Sequence, residues 1–473
     1  MINLGNIFRA LTGIRHRGSN PTITESIIDS RKAIPGSLFI ALKGEKTDGH
    51  HFIEDAFAKG SRLALIEDDL SSKFRVLNLR DQRETPLKSI PETPFCILVN
   101  DSLKALQDIA RWWRHQLQLR VIGITGSVGK TSTKEIVTEV LRQKYRTYKN
   151  PGNYNNEIGL PLTILNIGSG YERLVLEMGF YYPGEIRFLC GIAEPEIGVV
   201  TNVGTVHAER AGSQQVIADG KAELVECLPE SPDGTAILNF DDPFVKEMEE
   251  KTAARVIYYG LNPEADVWAD EIKGKGLQGI EFRMHYKTKS VKMTVPLIGR
   301  HSVQTILRAS ATGFAEDLTW DEITEGLLSS NSQLRLVSVR TRSGAVILDD
   351  TYNATPESTI AALNLLDELR GQKIAVLGDM LELGRYEAAG HKEVGQKAAE
   401  VVNHLIAVGQ RGRIIAETAL EEGLPATAVT WVKDASDAAD LLKYNLKEGD
   451  IVLIKGSHGL RMDRISAEME EAA

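Results

Sequence analysis

Residues 121–135 read VIGITGSVGKTSTKE, a β-branched run that breaks into a turn with two glycines and reopens as a polar helix start. The turn and helix start comprise Thr125, Gly126, Ser127, Val128, Gly129, Lys130 and Thr131. Gly126 and Gly129 let backbone N–H groups close on phosphate oxygens. Lys130 supplies a point charge for the outer phosphates, and the Thr131 hydroxyl suits Mg²⁺. The stretch predicts a phosphate-binding loop between a strand and a helix, and so a nucleoside triphosphate. It departs from the general pattern GxxxxGK[ST] in one place: Ile124 stands at the first glycine position, and a glycine falls one residue earlier, at Gly123.

Working outward, 473 residues exceed what one hydrophobic core organises, so several domains are expected. The 55 basic and 65 acidic residues leave a formal charge of −10, which argues against a nonspecific nucleic-acid binder. Cys96, Cys190 and Cys227 are widely spaced and form no CxxC pair, as suits a reducing cytoplasm. The opening MINLGNIFRALTGIRHRG lacks a signal-type apolar core, and no stretch reaches the length of a membrane span. A soluble cytoplasmic protein without membrane insertion is the expectation.

The pattern predicts an α/β chain of three domains. Residues 1–104 place short strands, SLFIAL at 37–42 and RLALIE at 62–67, around a helix near 52–60, which reads as a small mixed α/β domain. It closes with a Pro-containing loop at 79–94 and a strand at CILVN. Residues 105–320 alternate strands with helices, predicting a mainly parallel P-loop ATPase-type sheet, with 253–297 as an antiparallel extension. Residues 321–473 carry four apolar runs, AVILDD, KIAVLGDM, HLIAVGQ and IVLIKGS, between helices. These predict a Rossmann-like doubly wound sheet with functional loops after its strands, at DDTYNATPES, GDMLELG and KGSHG.

Candidate chemistry clusters near the loop. Glu177 ends the strand LVLEM, where a carboxylate can take Mg²⁺ directly or through water. His207 follows the strand VVTNVGTV. In QQVIADGKAELVECLP, Lys221 shares helical spacing with Ile217, Leu224 and Leu228, so it falls on an apolar stripe. Such a lysine either snorkels its head to water or is buried with a depressed pKa. Buried, its free amine can take up CO₂ and become an anionic metal ligand. Asn153, Asn155 and Asn156 put three amides in one loop, suited to polar substrate or to Asx turns. Arg335 precedes a strand of the last region, and Asp350, Tyr352 and Asn353 follow one.

These motifs resemble those of the Mur ligase family, ATP-dependent amide-forming enzymes of peptidoglycan precursor synthesis. TGSVGKTSTKE, GNYNNEIGLPLTIL, LVLEMG, TNVGTVHAER with GKAEL, and GRHSV are similar to its successive central motifs. The resemblance implies ATP on Thr125–Thr131 with His301 and Thr305 nearer the adenine. It implies two Mg²⁺ ions on Thr131, Glu177, His207 and a carbamylated Lys221. Lys130, Lys221, His207, Glu177, Arg335 and Asp350 are then the catalytic set.

The stretch 29–60, DSRKAIPGSLFIALKGEKTDGHHFIEDAFAKG, resembles a UDP-binding domain, bringing in Ser30, Arg31, Lys43 and His50. DDTYNATPES and GDMLELG resemble the branch that joins D-alanyl-D-alanine to UDP-N-acetylmuramoyl-tripeptide. Asn153, Asn155, Asn156, Tyr352, Asn353 and Lys455 are the further substrate-binding candidates, in an enzyme acting as a monomer. The DNPR-type motif of the sister ligase is absent from 371–470. Departures from the family pattern are Ser302 and Thr305 in place of asparagines, Leu334 in place of glycine, and His458 in place of arginine. The alternatives are a superfamily ligase with another acid and amine, and a noncatalytic ATP-binding protein.

Overall fold

A computed structural model describes residues 1–15, 20–80, 90–168, 170–205, 208–329, 337–341 and 343–471. Of the loop read at 79–94, residues 81–89 lie outside these, as do His207, Leu334 and Arg335. The chain forms two compact units: residues 1–123 with 145–179 and 185–196, and residues 124–144 with 180–184 and 197–473. The central sheet has nine strands among the described residues, and the division between the units falls inside one of them, Arg120–Thr125.

The first unit holds a five-stranded sheet whose strands pair in parallel, built on Phe39, Ala64, Ile66, Cys96 and Leu98, all buried. Its runs are apolar on both faces, as parallel strands covered on both sides must be. The sequence expectation of a small α/β domain with strands near 37–42, 62–67 and 96–100 matches Leu38–Ile40, Leu63–Ile66 and Phe95–Leu98. In the same unit Thr147–Lys149 pairs in parallel with Arg173–Glu177, the strand that ends in the acid singled out above.

In the second unit Ile197–Val200, Thr235–Asn239 and Arg255–Gly260 are consecutive parallel strands, and Val267–Gly274 continues them. The antiparallel extension read at 253–297 is there: Val267–Gly274 pairs with Ile280–Tyr286, which pairs with the edge strand Lys289–Val295. The helices Lys130–Arg142 and Ser302–Ala315 pack together.

The four apolar runs near the C-terminus form the strands Val346–Asp349, Asp450–Lys455, Gln372–Gly378 and His404–Val408, parallel neighbours in that order. Two flanking strands complete this sheet: Val337–Arg340, the strand read after Arg335, antiparallel at one edge, and Val429–Val432, not read from sequence, at the other. Because the strands run parallel, the loops DDTYNATPES, GDMLELG and KGSHG all leave one end of the sheet.

Candidate functional site

The loop at 125–131 is shaped by its glycines. Gly126 sits at φ +142° and Gly129, which caps the Lys130–Arg142 helix, at φ +83°. Both angles lie in the region L side chains avoid. A Cβ on Gly126 would lie 1.8 Å from the Thr201 hydroxyl, so the loop also needs glycine for close approach. That hydroxyl donates to the Val128 carbonyl at 2.7 Å, and the Asn202 side chain accepts the Val128 N–H at 2.9 Å. The Ser127 N–H donates to the Asn202 carbonyl at 2.9 Å, while the Ser127 hydroxyl accepts the Gly204 N–H at 2.8 Å. Thr201, Asn202 and Gly204 thus brace the loop from outside, at the N-terminal end of a helix, which suits an anion. Lys130 Nζ donates to the Gly126 and Ser127 carbonyls at 2.7 and 3.2 Å, which holds its charge over the loop.

Lys221 lies on the helix Gln214–Glu226, started by the Ser213 side chain accepting the Val216 N–H. Its side chain is fully buried with Ile217 and Leu224, so the apolar stripe faces inward and takes the lysine with it. Nζ lies 4.8 Å from the Phe180 ring centroid and has no hydrogen-bond partner among the described residues. Burial, with the neighbouring Lys130 charge adding to it, holds the pKa well below the ordinary 10.5. Both causes favour the neutral amine over the ammonium. Gly220 makes room for the aromatic ring, since a Cβ there would meet Phe180 Cε2 at 2.0 Å.

In the first unit, Glu177 is buried and its carboxylate accepts the Asn155 side-chain amide at 2.8 Å. Asn150 clasps the Glu177 backbone in both directions, at 3.0 and 3.1 Å. The three asparagines of the loop therefore divide: Asn155 orients the acid, Asn156 caps the helix Gly159–Leu165 through the Gly159 N–H, and Asn153 is exposed.

Near the N-terminus, Ser30 is buried and Arg31 forms a two-pronged ion pair with Asp29. Lys43 reaches Asp68 at 2.8 Å and Glu67 at 3.2 Å. His50 has both ring nitrogens engaged. Nε2 accepts the Glu67 N–H at 3.0 Å, so Nδ1 carries the proton and donates to Asp48 at 2.6 Å. Asp48, His50 and Asp68 stand within metal-binding reach of one another, yet this bonding leaves the imidazole no lone pair to offer.

In the second unit, Asp350 follows the strand Val346–Asp349, Lys455 ends its parallel neighbour, and the two meet at 2.6 Å, with Lys455 Nζ also donating to the Asn353 carbonyl at 2.9 Å. Lys455 is buried, and Tyr352 is exposed. His301 opens the Ser302–Ala315 helix; desolvation lowers its pKa below 6.5, opposed by the Asp350 charge and reinforced by Lys455 and Arg308. Thr305 accepts the Arg308 guanidinium at 2.7 Å.

Two residues that sequence reasoning passed over stand beside the loop. Arg308 is one. The other is Glu357, whose carboxylate faces the Thr205 N–H at 3.4 Å, next to Gly204. Neither had a spacing signal, because each meets the loop from a distant part of the chain. TNVG, which supplies Thr201, Asn202 and Gly204, was on view as a motif without being read as a brace.

A glycine-built phosphate loop on a mainly parallel sheet, followed by a second doubly wound sheet, defines a multidomain P-loop α/β protein. Family models match nearly the whole length: the Mur ligase family catalytic domain over residues 22–112, the Mur ligase middle domain over 124–313, and the Mur ligase glutamate ligase domain over 334–458. The chain belongs to the Mur ligase family, with its three-domain α/β fold.

The UDP-N-acetylmuramoyl-tripeptide–D-alanyl-D-alanine ligase of Bacillus subtilis is 35% identical over 465 residues, 96% of each chain. Among solved structures, MurF from Acinetobacter baumannii superposes with a TM-score of 0.82 at 29% identity, covering 99% of this chain and 98% of that one. MurF ligase from Thermotoga maritima, solved in complex with ADP, gives 0.78 at 27% identity and 98% of both chains.

Proposed function

We propose that the protein is an ATP-dependent ligase that joins D-alanyl-D-alanine to UDP-N-acetylmuramoyl-tripeptide in peptidoglycan synthesis. The products are UDP-N-acetylmuramoyl-pentapeptide, ADP and phosphate. The observation that carries this reading is the 35% identity to a ligase of that name along 96% of both chains. The ADP bound in the Thermotoga maritima relative supports ATP as the nucleotide. We assign 1–104 to the UDP-substrate domain, 105–320 to the ATP-binding domain and 321–473 to the C-terminal Rossmann-like domain. No helix among the described residues is long and apolar enough to cross a membrane. We assign the protein to the cytoplasm, acting as a monomer.

The tripeptide's terminal carboxylate attacks the γ-phosphorus of ATP, forming an acyl phosphate and ADP. The dipeptide amine then adds to the acyl carbon, and phosphate leaves from the tetrahedral intermediate as the amine gives up its proton. The first transfer needs positioning and charge neutralisation above all. The loop amides and Lys130 supply both on the phosphate chain. Asp350, Asn353, Tyr352 and Lys455, with Arg335, are assigned to the acceptor side, and Asn153 and Asn156 to the peptide.

The resident metal fits the residues present. Lys221 Nζ is buried and has no hydrogen-bond partner among the described residues, and its pKa is lowered, which favours the neutral amine that bonds CO₂ with loss of one proton. Thr131, Glu177, His207 and that carbamate would hold Mg²⁺, which neutralises phosphate charge when bound.

The test is ADP release from the purified protein with ATP, Mg²⁺, UDP-N-acetylmuramoyl-tripeptide and D-alanyl-D-alanine, each omitted in turn. Release that needs both substrates, with a product heavier by one dipeptide residue, is expected. Nucleotide binding without such release would remove the assignment.

A further inference from the structure

Arg308 is 5% exposed, on the helix that packs against the phosphate-loop helix, yet no carboxylate pairs with it among the described residues. Its hydrogen-bond partners are neutral. Nη2 donates to the Thr305 hydroxyl at 2.7 Å and Nη1 to the Tyr259 hydroxyl at 3.4 Å. The Tyr259 ring centroid lies 5.8 Å from its guanidinium carbon, and Nε has no partner among the described residues. A buried charge so placed is costly, since hydroxyls and a ring face replace only part of its hydration.

The position of the group supplies the reason. A Cβ built on Gly129 would lie 2.9 Å from Arg308 Nη2, with nothing else within 4 Å except the guanidinium carbon. Gly129 caps the 13-residue phosphate-loop helix, and Lys130 follows it. The positive end of a helix and a guanidinium that has no carboxylate partner among the described residues thus converge. Converging positive groups repel one another until an anion joins them, and a planar guanidinium fits phosphate oxygens through two N–H groups.

We propose that Arg308 is a ligand of the nucleotide's phosphate chain, contacting the phosphates that ATP and ADP share, with Thr305 and Tyr259 fixing the plane of its guanidinium. This rests on the nucleotide-binding part of the proposed function and goes beyond it in naming a phosphate contact from outside the loop.

The experiment uses the full chain, as wild type, Arg308→Met and Arg308→Lys. ADP affinity is read by calorimetry, and the thermal midpoint is read with and without ADP. Expected for Arg308→Met are an ADP Kd raised tenfold or more, a ligand-free midpoint equal to or above wild type, and loss of most of the ADP-induced rise. Arg308→Lys recovers part of the affinity. ADP binding by Arg308→Met within twofold of wild type would overturn the proposal. So would a lowered ligand-free midpoint with the ADP increment intact, or a failure of Arg308→Met to fold, because either makes the arginine a structural group. Wild-type protein that does not bind ADP would instead overturn the proposed function.

Discussion

Lys221 Nζ faces the Phe180 ring at 4.8 Å, and Gly220, the residue before that lysine, leaves the ring the room to sit there. Burial in that setting favours the neutral amine, the form that can bond CO₂. Lys221→Ala is expected to lower turnover at least a hundredfold while ADP binding stays within a few-fold of wild type. Formate or acetate added at high concentration should restore part of the rate by standing in for the lost carboxylate. Near wild-type turnover in the alanine variant would remove the carbamate from the mechanism.

Gly126→Ala tests whether the loop's shape or its charge dominates nucleotide binding. The new methyl group would lie 1.8 Å from the Thr201 hydroxyl and 3.1 Å from the Thr201 backbone nitrogen, at φ +142°. Relief requires moving the brace formed by Thr201 and Val128, and with it the amides that face phosphate. ADP affinity measured by calorimetry should fall at least a hundredfold with Lys130 still in place. A loss under threefold would show that the amides contribute little.

The Asp350–Lys455 pair is largely shielded from water, with side chains 19% and 2% exposed. Removing one member strands the other, which costs about 3–5 kcal/mol. Lys455→Met should therefore lower stability to urea by about that amount. Adding Asp350→Leu should recover part of the loss, because the pair rather than either charge is what the site accommodates. Additive losses would count against this account.

His391 is buried in the C-terminal sheet's helical layer, with Nδ1–H donating to the Glu387 carbonyl at 2.7 Å and Nε2 accepting the Met380 N–H at 3.0 Å. Desolvation holds its pKa below 6.5 despite the nearby carbonyl and acids. The unfolded chain thus binds the proton first as pH falls, so the stability His391 contributes is complete above about 6.5 and declines below it. Denaturation midpoints between pH 7 and pH 5 should fall more steeply for wild type than for His391→Phe. Parallel pH profiles would place the acid sensitivity elsewhere.

What the sequence made legible was what local rules dictate. The loop at 125–131 was readable because glycine is favoured where φ is positive, and helical spacing put Lys221 on the stripe of Ile217 and Leu224 while leaving open whether its head is buried or reaches water. The apolar runs of the last domain gave the four central strands. The flanking strand Val429–Val432 escaped notice since two of its four residues are exposed and its pattern is weak. Three amides in one loop could not be sorted from spacing. Asn155 turns to Glu177, Asn156 to a helix end and Asn153 to water, and that division depends on a strand twenty residues further on. Arg308 was hidden for a related reason: on its own helix it reads as one more surface cation, and only the packing of that helix on Gly129 makes it unusual.

The antiparallel hairpin that ends the central sheet also bears on how the molecule behaves in crowded solution. Its outer strand, Lys289–Val295, pairs on one side only among the described residues, and its other side is a ready template for another chain. Exposed Lys289 and Lys292 stand on that strand, and Pro296, which has no N–H to donate, ends it. A second copy laid alongside would bring Lys289 and Lys292 against like charges, although Lys292 also reaches Glu281 in its own hairpin at 3.2 Å. The same seven residues that finish the sheet therefore carry charges that disfavour its extension by a second copy.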